Sequence, residues 1–362
     1  TVNADLLMGF LKQMVKQRAD LRVIIMSATL DTERFAAYFK DPALAVDEEN
    51  NPPILLIPGK MNPIQHHWLS KPTEDYKQDI VDLVQEIHKS GVERNAQGRL
   101  IPDGHILVFL TGQQEIDAVV GEFQGSLHKN QHGHVLEVYP LYSALSETDR
   151  QKAFDSPADP KRARKCVVAT NIAETSLTIE DVVYVIDCGL SRQKVYSPSK
   201  GVEILDIRGI SKASVMQRVG RAGRTKPGIA YHLYTREGYI NLANETAPEI
   251  IRSGLVNEIL SMLALGMQNP LQFDFIDPPD EMTLARALSI LRYLDAIDSE
   301  CRITQTGQNM ARLPVNPRMA KSLVMSAKQE YKCVHEMIVI AAMLEIEDGL
   351  WLKPRDKRRL DA

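Results

Sequence analysis

The apolar positions change their period along the chain, and each change marks a piece of architecture. Leu6, Leu7, Phe10, Leu11, Met14 and Val15 recur at helical spacing within residues 5–18. Leu21–Met26 follows as a run of Leu, Val, Ile and Met broken only by Arg22, the pattern of a parallel strand buried on both faces. Asp31 is placed to cap a helix containing Phe35, Tyr38 and Phe39. Pro, Asn and acids then crowd residues 40–63, which predicts a domain boundary. Beyond it, a helix is expected from Tyr76 to Lys89, with Ile80, Leu83, Val84 and Ile87 on one stripe, and residues 90–104 form a polar loop. Strand His105–Leu110, helix Gln113–Phe123, strand Val135–Leu141, helix Glu147–Phe154 and strands Cys166–Ala169 and Val182–Asp187 come next. That alternation predicts an α/β domain with a parallel sheet. Val195–Ile207, with Pro198–Gly201 at its turn, reads as a β-hairpin whose apolar arms pack near its base.

From Pro248 the period becomes helical and stays so. Ile251, Leu255, Ile259, Leu260 and Leu263 make one stripe, and Leu284, Leu288 and Leu291 another. Asn316–Gln329 and His335–Leu344 are further expected helices, with a short strand or turn at Arg302–Gly307.

Composition narrows the class without naming it. The chain has 362 residues, 44% apolar and 25% charged, with a formal charge of −4. Those are values for packed cores and exclude a disordered polyelectrolyte or a fibre. Near-neutrality does not announce a nucleic-acid binder, yet local basic surface is compatible with it. Cys166, Cys188, Cys301 and Cys333 stand far apart with no CxxC, so neither a zinc site nor a disulfide framework is expected, and reduced thiols fit cytosol or nucleus. No apolar run approaches the roughly 18 residues of a membrane span.

The chemistry begins with an absence. No G-x-x-x-x-G-K-[ST] loop and no metal-holding acid–histidine quartet occurs in the chain. The nine histidines form no ligand constellation. Gln217-Arg218-Val219-Gly220-Arg221-Ala222-Gly223-Arg224, by contrast, packs three arginines and two glycines into eight residues. On a continuous helix Gln217, Arg221 and Arg224 would share an arc of about 60°, with Arg218 off it. Paired guanidinium groups suit the developing charge of a transferring phosphoryl group. The bland reading is a solvated basic helix end; two glycines that each weaken a helix by roughly 1 kcal/mol argue against mere decoration. The basic runs Lys161–Lys165 and Lys353–Arg359 are read as solvated loops or ends.

These residues resemble the DEAH-box members of superfamily 2 helicases. Gln217–Arg224 resembles motif VI, Ala169–Thr178 motif V, Ile25–Asp31 motif III and Phe109–Ile116 motif IV, while Phe273–Pro279 resembles the segment of the winged helix that follows. The likeness is collinear from Thr1 to about Pro354. It implies four pieces: residues 1–58 as the tail of a first RecA-like domain, 59–235 as the second RecA-like domain, 236–303 as a winged helix and 304–362 as the start of a ratchet domain. It also places Thr1 just after motif II, with the phosphate loop and metal-binding acids upstream.

The resemblance implies an ATP-dependent RNA helicase that uses ATP or another NTP with Mg²⁺ and moves 3′ to 5′ on single-stranded RNA, remodelling RNA–protein complexes. Gln217, Arg221 and Arg224 would be catalytic. Phe154 would stack on the base, with a core anchor as the alternative, and Thr178 and Glu180 would lie near the ribose. Ser27 and Thr29 would couple nucleotide state to domain closure. Thr111, Gly112, Thr170, Asn171, Arg192 and Lys194 would meet RNA, and no metal ligand is expected in the chain itself. Cys188 stands where the family commonly has Pro, and His232 where it commonly has Arg. A spliceosome-like ribonucleoprotein, a G-patch activator and a nuclear location fall within the family's range. The rival expectation is a non-catalytic RNA-binding or scaffold fragment of a ribonucleoprotein assembly.

Overall fold

The structure is a computed structural model that describes residues 2–18, 20–27, 31–40, 52–57, 59, 62–90, 104–124, 135–157, 163–174, 179–197 and 202–345. In chain order its strands are β1 (Ile64–Leu69), β2 (His105–Phe109), β3 (Val135–Leu141), β4 (Ala163–Ala169), β5 (Val182–Asp187), β6 (Leu190–Ser197), β7 (Val202–Gly209) and β8 (Gly228–Thr235). The helices of the first half are α1 (Val2–Gln17), α2 (Thr32–Tyr38), α3 (Tyr76–Ser90), α4 (Gln113–Glu122), α5 (Glu147–Phe154), α6 (Lys212–Val219) and α7 (Arg236–Ile240). Those of the second are α8 (Glu249–Arg252), α9 (Val256–Ala264), α10 (Glu281–Tyr293), α11 (Gln305–Ala311), α12 (Pro317–Ser326) and α13 (Val334–Glu345). Two compact units emerge: residues 1–54, 194–204 and 247–362 in one, and 55–193 and 205–246 in the other.

The α/β unit is a six-stranded sheet of order β1-β8-β5-β2-β4-β3, parallel at every pairing. β2, β4 and β5 are buried almost throughout, as expected of apolar runs without alternation. Ile80, Val84, Ile87, Ile116 and Val119 from α3 and α4 pack with Ile106, Val108 and Val168, so the expected stripe of α3 is its core face. A side chain of this size contributes roughly 1.5–3 kcal/mol when fully withdrawn from water. The RecA-like parallel sheet is thus present as its alternating pattern predicts.

Two strands escaped the pattern. β1 carries Gln65, His66 and His67, and β8 carries His232, so polar residues mask both. Their burial is compensated by side-chain hydrogen bonds described below, which periodicity does not register.

The basic run at β4 corrects another expectation. Arg164 and Lys165 are buried inside the strand. Arg164 donates to the carbonyl of Ile87 near the C-terminus of α3. Lys165 Nζ donates to the carbonyls of Lys152, Ala153 and Asp155 at the end of α5. Each cation neutralises the negative end of a helix and satisfies carbonyls the helix leaves over. Burial pushes the Lys165 ammonium below its usual range, while Asp155 and Glu137 act to raise it.

In the helical unit, α1 and α2 grip the Phe273–Pro279 segment. Phe10 lies 5.2 Å from Phe273, Gly9 leaves room for the Phe273 ring, and Lys12 pairs with Asp274 at 2.6 Å. Tyr38 donates to the Asp274 carbonyl at 2.6 Å and Arg34 pairs with Asp277. Asp31 caps α2 as expected. Leu260, Leu263, Leu284 and Leu291 share one core with Phe273 and Phe275.

Three local expectations fail for physical reasons. Leu21–Met26 is not assigned as a strand, with Ile24 82% exposed, because no described strand lies beside it to complete a ladder. The single stripe through Ile251 is broken at Ser253-Gly254: Ile250 is buried and Ile251 exposed because α8 ends at Arg252 and α9 starts in a new phase. In the two-stranded β6-β7 sheet Ile204, Leu205 and Ile207 are exposed rather than packed at its base. The tip Pro198–Gly201 lies outside the described residues.

Arg302–Gly307 contributes a single antiparallel bridge, Ile297 to Ile303, before α11 begins. There the Cβ of any larger residue at Gly307 would fall on the Ala296 carbonyl, which is backbone and cannot swing aside. Gly307→Ala should therefore destabilise the chain by about 1–3 kcal/mol in urea titration, an overpacking cost. A neutral or stabilised variant would contradict this packing.

Candidate functional site

Because the sheet is parallel, the exits of β2, β4 and β5 meet at one edge, where open α/β sheets bind ligands. The edge is organised around a guanidinium that the helical projection had set aside. Arg218, on α6, has a fully buried side chain. Its Nε donates to Glu174 Oε1 at 2.7 Å and its Nη1 to Asp187 Oδ1 at 2.7 Å and the Leu190 carbonyl at 3.2 Å. Its Cζ stands 4.8 Å above the Phe109 ring. Glu174 follows β4 and also accepts from Ser214 Oγ at 2.8 Å. Asp187 ends β5, and its Oδ1 accepts the Gly189 N–H at 2.9 Å. Gly189 has φ +74°, and a Cβ there would strike the Tyr234 ring, so this position requires glycine.

Burial alone would raise the Asp187 carboxyl, but the Arg218 charge, nearby His232 and the Gly189 N–H hold it well below the usual carboxylate range. Burial likewise opposes the charge on Arg218, and Asp187 and Glu174 more than restore it. Tyr234 donates its hydroxyl to Asp187 Oδ2 at 2.8 Å. With that proton committed, the Tyr234 oxygen accepts from His232 Nδ1 at 3.0 Å, leaving His232 Nε2 to accept from His66 Nδ1 at 3.0 Å. The polarity of the relay thereby fixes both tautomers. Trp68 stacks on His232 with ring centroids 3.8 Å apart.

The expected continuous helix over Gln217–Arg224 does not form. α6 ends at Val219, and Gly220 caps it. Arg221 and Ala222 turn back with N–H bonds to the carbonyls of Arg218 and Val219. The turn is tied to the entry of β1 by Asn62, which donates N–H and Nδ2 to the Gly223 carbonyl at 3.0 and 3.2 Å. A Cβ at Gly223 would lie 2.9 Å from Ile64 Cδ1, so the glycine does permit close approach. Arg221 is half-buried and donates to the Glu174 carbonyl, while Arg224 is exposed. Burial first, and then the neighbouring Arg224 charge, lower the Arg221 guanidinium below its ordinary value. An anion beside the pair would relieve that repulsion, so the residues present fit a phosphate. Gln217 is half-buried on the last turn of α6.

The remaining candidates divide. Phe154 ends α5 and packs against the cluster that holds Leu107, Phe109 and Ala222, which ties the ring to the core and to the arginine turn together. Gly112 lies against Arg192: a Cβ there would be 3.3 Å from the Arg192 Cζ, and Arg192 is exposed. Thr170 is half-buried at the exit of β4, and Asn171 is exposed beside it. Thr111 departs from its expected outward role, since its buried hydroxyl donates to Glu115 Oε2 at 2.7 Å and so supports the start of α4. Glu180 is exposed ahead of β5, while its neighbour Asp181 pairs with Lys226 at 3.3 Å. In the helical unit Ser27 is exposed, and Lys194 lines a cavity treated below. Thr29 and Thr178 lie outside the described residues. Among the described residues no group of three acids, histidines or cysteines converges to hold a metal ion, and no helix is long and apolar enough to cross a membrane.

Sequence reasoning missed Glu174, Asp187 and His232 as partners. The available signal was Asp187 itself, a charge closing a strand that is otherwise wholly apolar apart from Tyr184. Asp187→Asn should cost about 3–5 kcal/mol, the penalty for leaving a buried charge without its partner. The stabilisation from Asp187 is present above its unfolded value of about 3.9 and is lost as pH falls below it. Wild-type melting temperature should therefore drop below about pH 4, with a shallower acid slope in the variant. Equal slopes in scanning calorimetry would remove Asp187 from this account.

Comparison with known proteins gives a consistent picture. Residues 93–226 match the helicase conserved C-terminal domain, 287–315 the winged-helix part of the helicase-associated domain, and 316–362 its ratchet-like part. The structure is similar to two crystal structures of HrpB from Escherichia coli, one described as a DExH-box NTPase and the other as a DEAH/RHA helicase. The first has TM-score 0.76 and 32% identity over 97% of this chain and 40% of the HrpB chain. The second has TM-score 0.78 and 33% identity over 97% and 41%. The chain thus spans about two-fifths of the length of these relatives.

Proposed function

We propose, from the premise that this chain belongs to the DEAH-box helicases as a C-terminal portion of such an enzyme, that the intact protein couples NTP hydrolysis to 3′-to-5′ movement on single-stranded RNA. Remodelling of RNA–protein complexes follows from that movement. The observation that carries the proposal is the turn beyond α6, where Arg221 and Arg224 sit close enough to lower the Arg221 guanidinium and are anchored by the buried Arg218. An anion-ready pair held by a rigid element supplies what phosphoryl transfer needs, donors in place before charge develops.

In this proposal Arg221 and Arg224 bind the transferring phosphate and Gln217 orients the attacking water. Phe154 stacks on the base, with Glu180 toward the ribose. Mg²⁺ supplies charge neutralisation at the phosphates, and its ligands are assigned to the rest of the intact enzyme, since no metal-holding group occurs among the described residues. Arg192, over the Gly112 backbone, and Thr170 and Asn171 line one edge suited to a phosphate–ribose chain. Because the similar solved structures come from E. coli, the proposal stops at RNA and its protein complexes and does not extend to splicing, a G-patch activator or the nucleus.

In the intact enzyme Arg224→Ala should lower kcat at least about a hundredfold with nucleotide affinity nearly unchanged, because the clamp acts on the transition state. A loss confined to KM would refute the clamp. Phe154→Ala should do the reverse, weakening nucleotide binding by about 1–3 kcal/mol. Lost thermal stability with unchanged binding would instead make Phe154 a core anchor. The 362-residue chain alone should release no phosphate from ATP in a steady-state assay, and RNA-stimulated turnover sensitive to Arg221→Ala would overturn that expectation.

A further inference from the structure

The break between α8 and α9 that spoiled the apolar stripe creates a cavity of about 540 Å³ within the helical unit. Its floor is Ser253, whose side chain is 7% exposed and whose Oγ is buried without a hydrogen-bond partner. Three carboxylates line it: Glu249 from α8, Glu258 from the first turn of α9 and Glu203 from β7. Glu203 is held in place, accepting the Gly254 N–H at 2.9 Å, and Gly254 leaves room for the Tyr196 ring. Ile290 and Pro317 supply apolar wall. Lys194 and Arg318 also line the cavity, but among the described residues no ion pair joins either to the three carboxylates.

The chemistry of this lining selects its occupant. Phosphate and carboxylate ligands would meet three negative groups. A metal ion needs acids converging on one point, and among the described residues none do. An ammonium group at the end of an alkyl stem satisfies all the features at once: its N–H groups reach separated carboxylates and the unpartnered serine oxygen, while the stem lies on Ile290 and Pro317. The volume is in the range of small-molecule sites. Burial, then Glu203, then Glu249 raise the Glu258 carboxyl, so a cation entering here meets an acid that gains by ionising beside it.

We propose that this cavity is a binding site for a primary ammonium on an aliphatic stem, supplied either by a free linear polyamine or by a lysine side chain of a peptide. It is independent of the arginine turn and takes a ligand of opposite charge to the one proposed there.

Calorimetric titration of the whole 362-residue chain with spermidine, and separately with a blocked Lys-Ala-Lys peptide, tests it. Saturable one-site binding of either probe is expected, and the tighter of the two identifies the source. Glu258→Gln should weaken binding at least about tenfold, and Glu249→Gln less, since each removes charge facing the ammonium. Glu281→Gln, an exposed acid at the start of α10, should leave it unchanged. Near the carboxylate range, binding should release protons, seen as a heat that depends on buffer ionisation. If Glu258→Gln fails to fold by circular dichroism, Ser253→Ala and Glu249→Gln carry the test. No saturable binding of either probe, or equal weakening by all variants including Glu281→Gln, would overturn the proposal.

Discussion

Arg218 between Glu174 and Asp187 is the interaction on which the α/β unit's working edge depends. Withdrawing a guanidinium and a carboxylate from water costs several kcal/mol per ion, and only near-ideal geometry offsets it. Here the geometry is good: bonds of 2.7 Å to both acids, a carbonyl on Nη1 and an aromatic face beneath. One donor, Nη2, is left without a partner. The network is therefore better understood as specifying position than as maximising stability. It joins the exits of β4 and β5 to α6, and in doing so determines where α6 stops and where its terminal turn presents Arg221 and Arg224.

The same network reaches the sheet's edge strand. Asp187 takes the Tyr234 proton, Tyr234 takes one from His232, and His232 takes one from His66 on β1. A ladder of main-chain bonds alone would let an edge strand slip, moving every side chain to the opposite face. A relay in which each acceptor has one available donor does not permit that shift. The histidine at 232, where an arginine is common in the resembling family, is accommodated because the adjoining imidazole of His66 gives its second nitrogen a partner. Such a site could not hold a further cation as comfortably, since Asp187 already serves Arg218.

Much of this fold was legible in the order of residues. β2, β4 and β5, and the helices α3 to α5 and α9 to α12, follow from runs and stripes of apolar side chains whose burial needs no special partner. What was illegible has a common cause: burial of polar groups compensated by partners distant in sequence. His66 and His232 hid two strands, Arg164 and Lys165 read as solvated loop, and Arg218 looked like the outlier of its motif. Each is satisfied by a group at least a dozen residues away, except where Lys165 also reaches Lys152, Ala153 and Asp155 at the end of the preceding helix. The site residues Arg221 and Arg224 were named correctly as neighbours, although the helix invoked to align them ends before either. Proximity survived because a capped helix followed by a tight turn also brings i and i+3 together.

The three arginines of the motif show why their burial differs. Arg218 is fully enclosed, Arg221 half-enclosed with one donor on a carbonyl, and Arg224 exposed. A clamp must meet its anion with donors not already spent, yet must not wander, since disorder would return the entropy that preorganisation removes. Enclosing the first arginine fixes the turn, and tethering the second limits its rotamers. The third keeps a planar fork facing solvent. Lysine at the first position would offer a point charge in place of a fork and could not serve Glu174 and Asp187 from two separate edges. The gradient from buried to exposed thus converts a cost in desolvation at Arg218 into aim at Arg224.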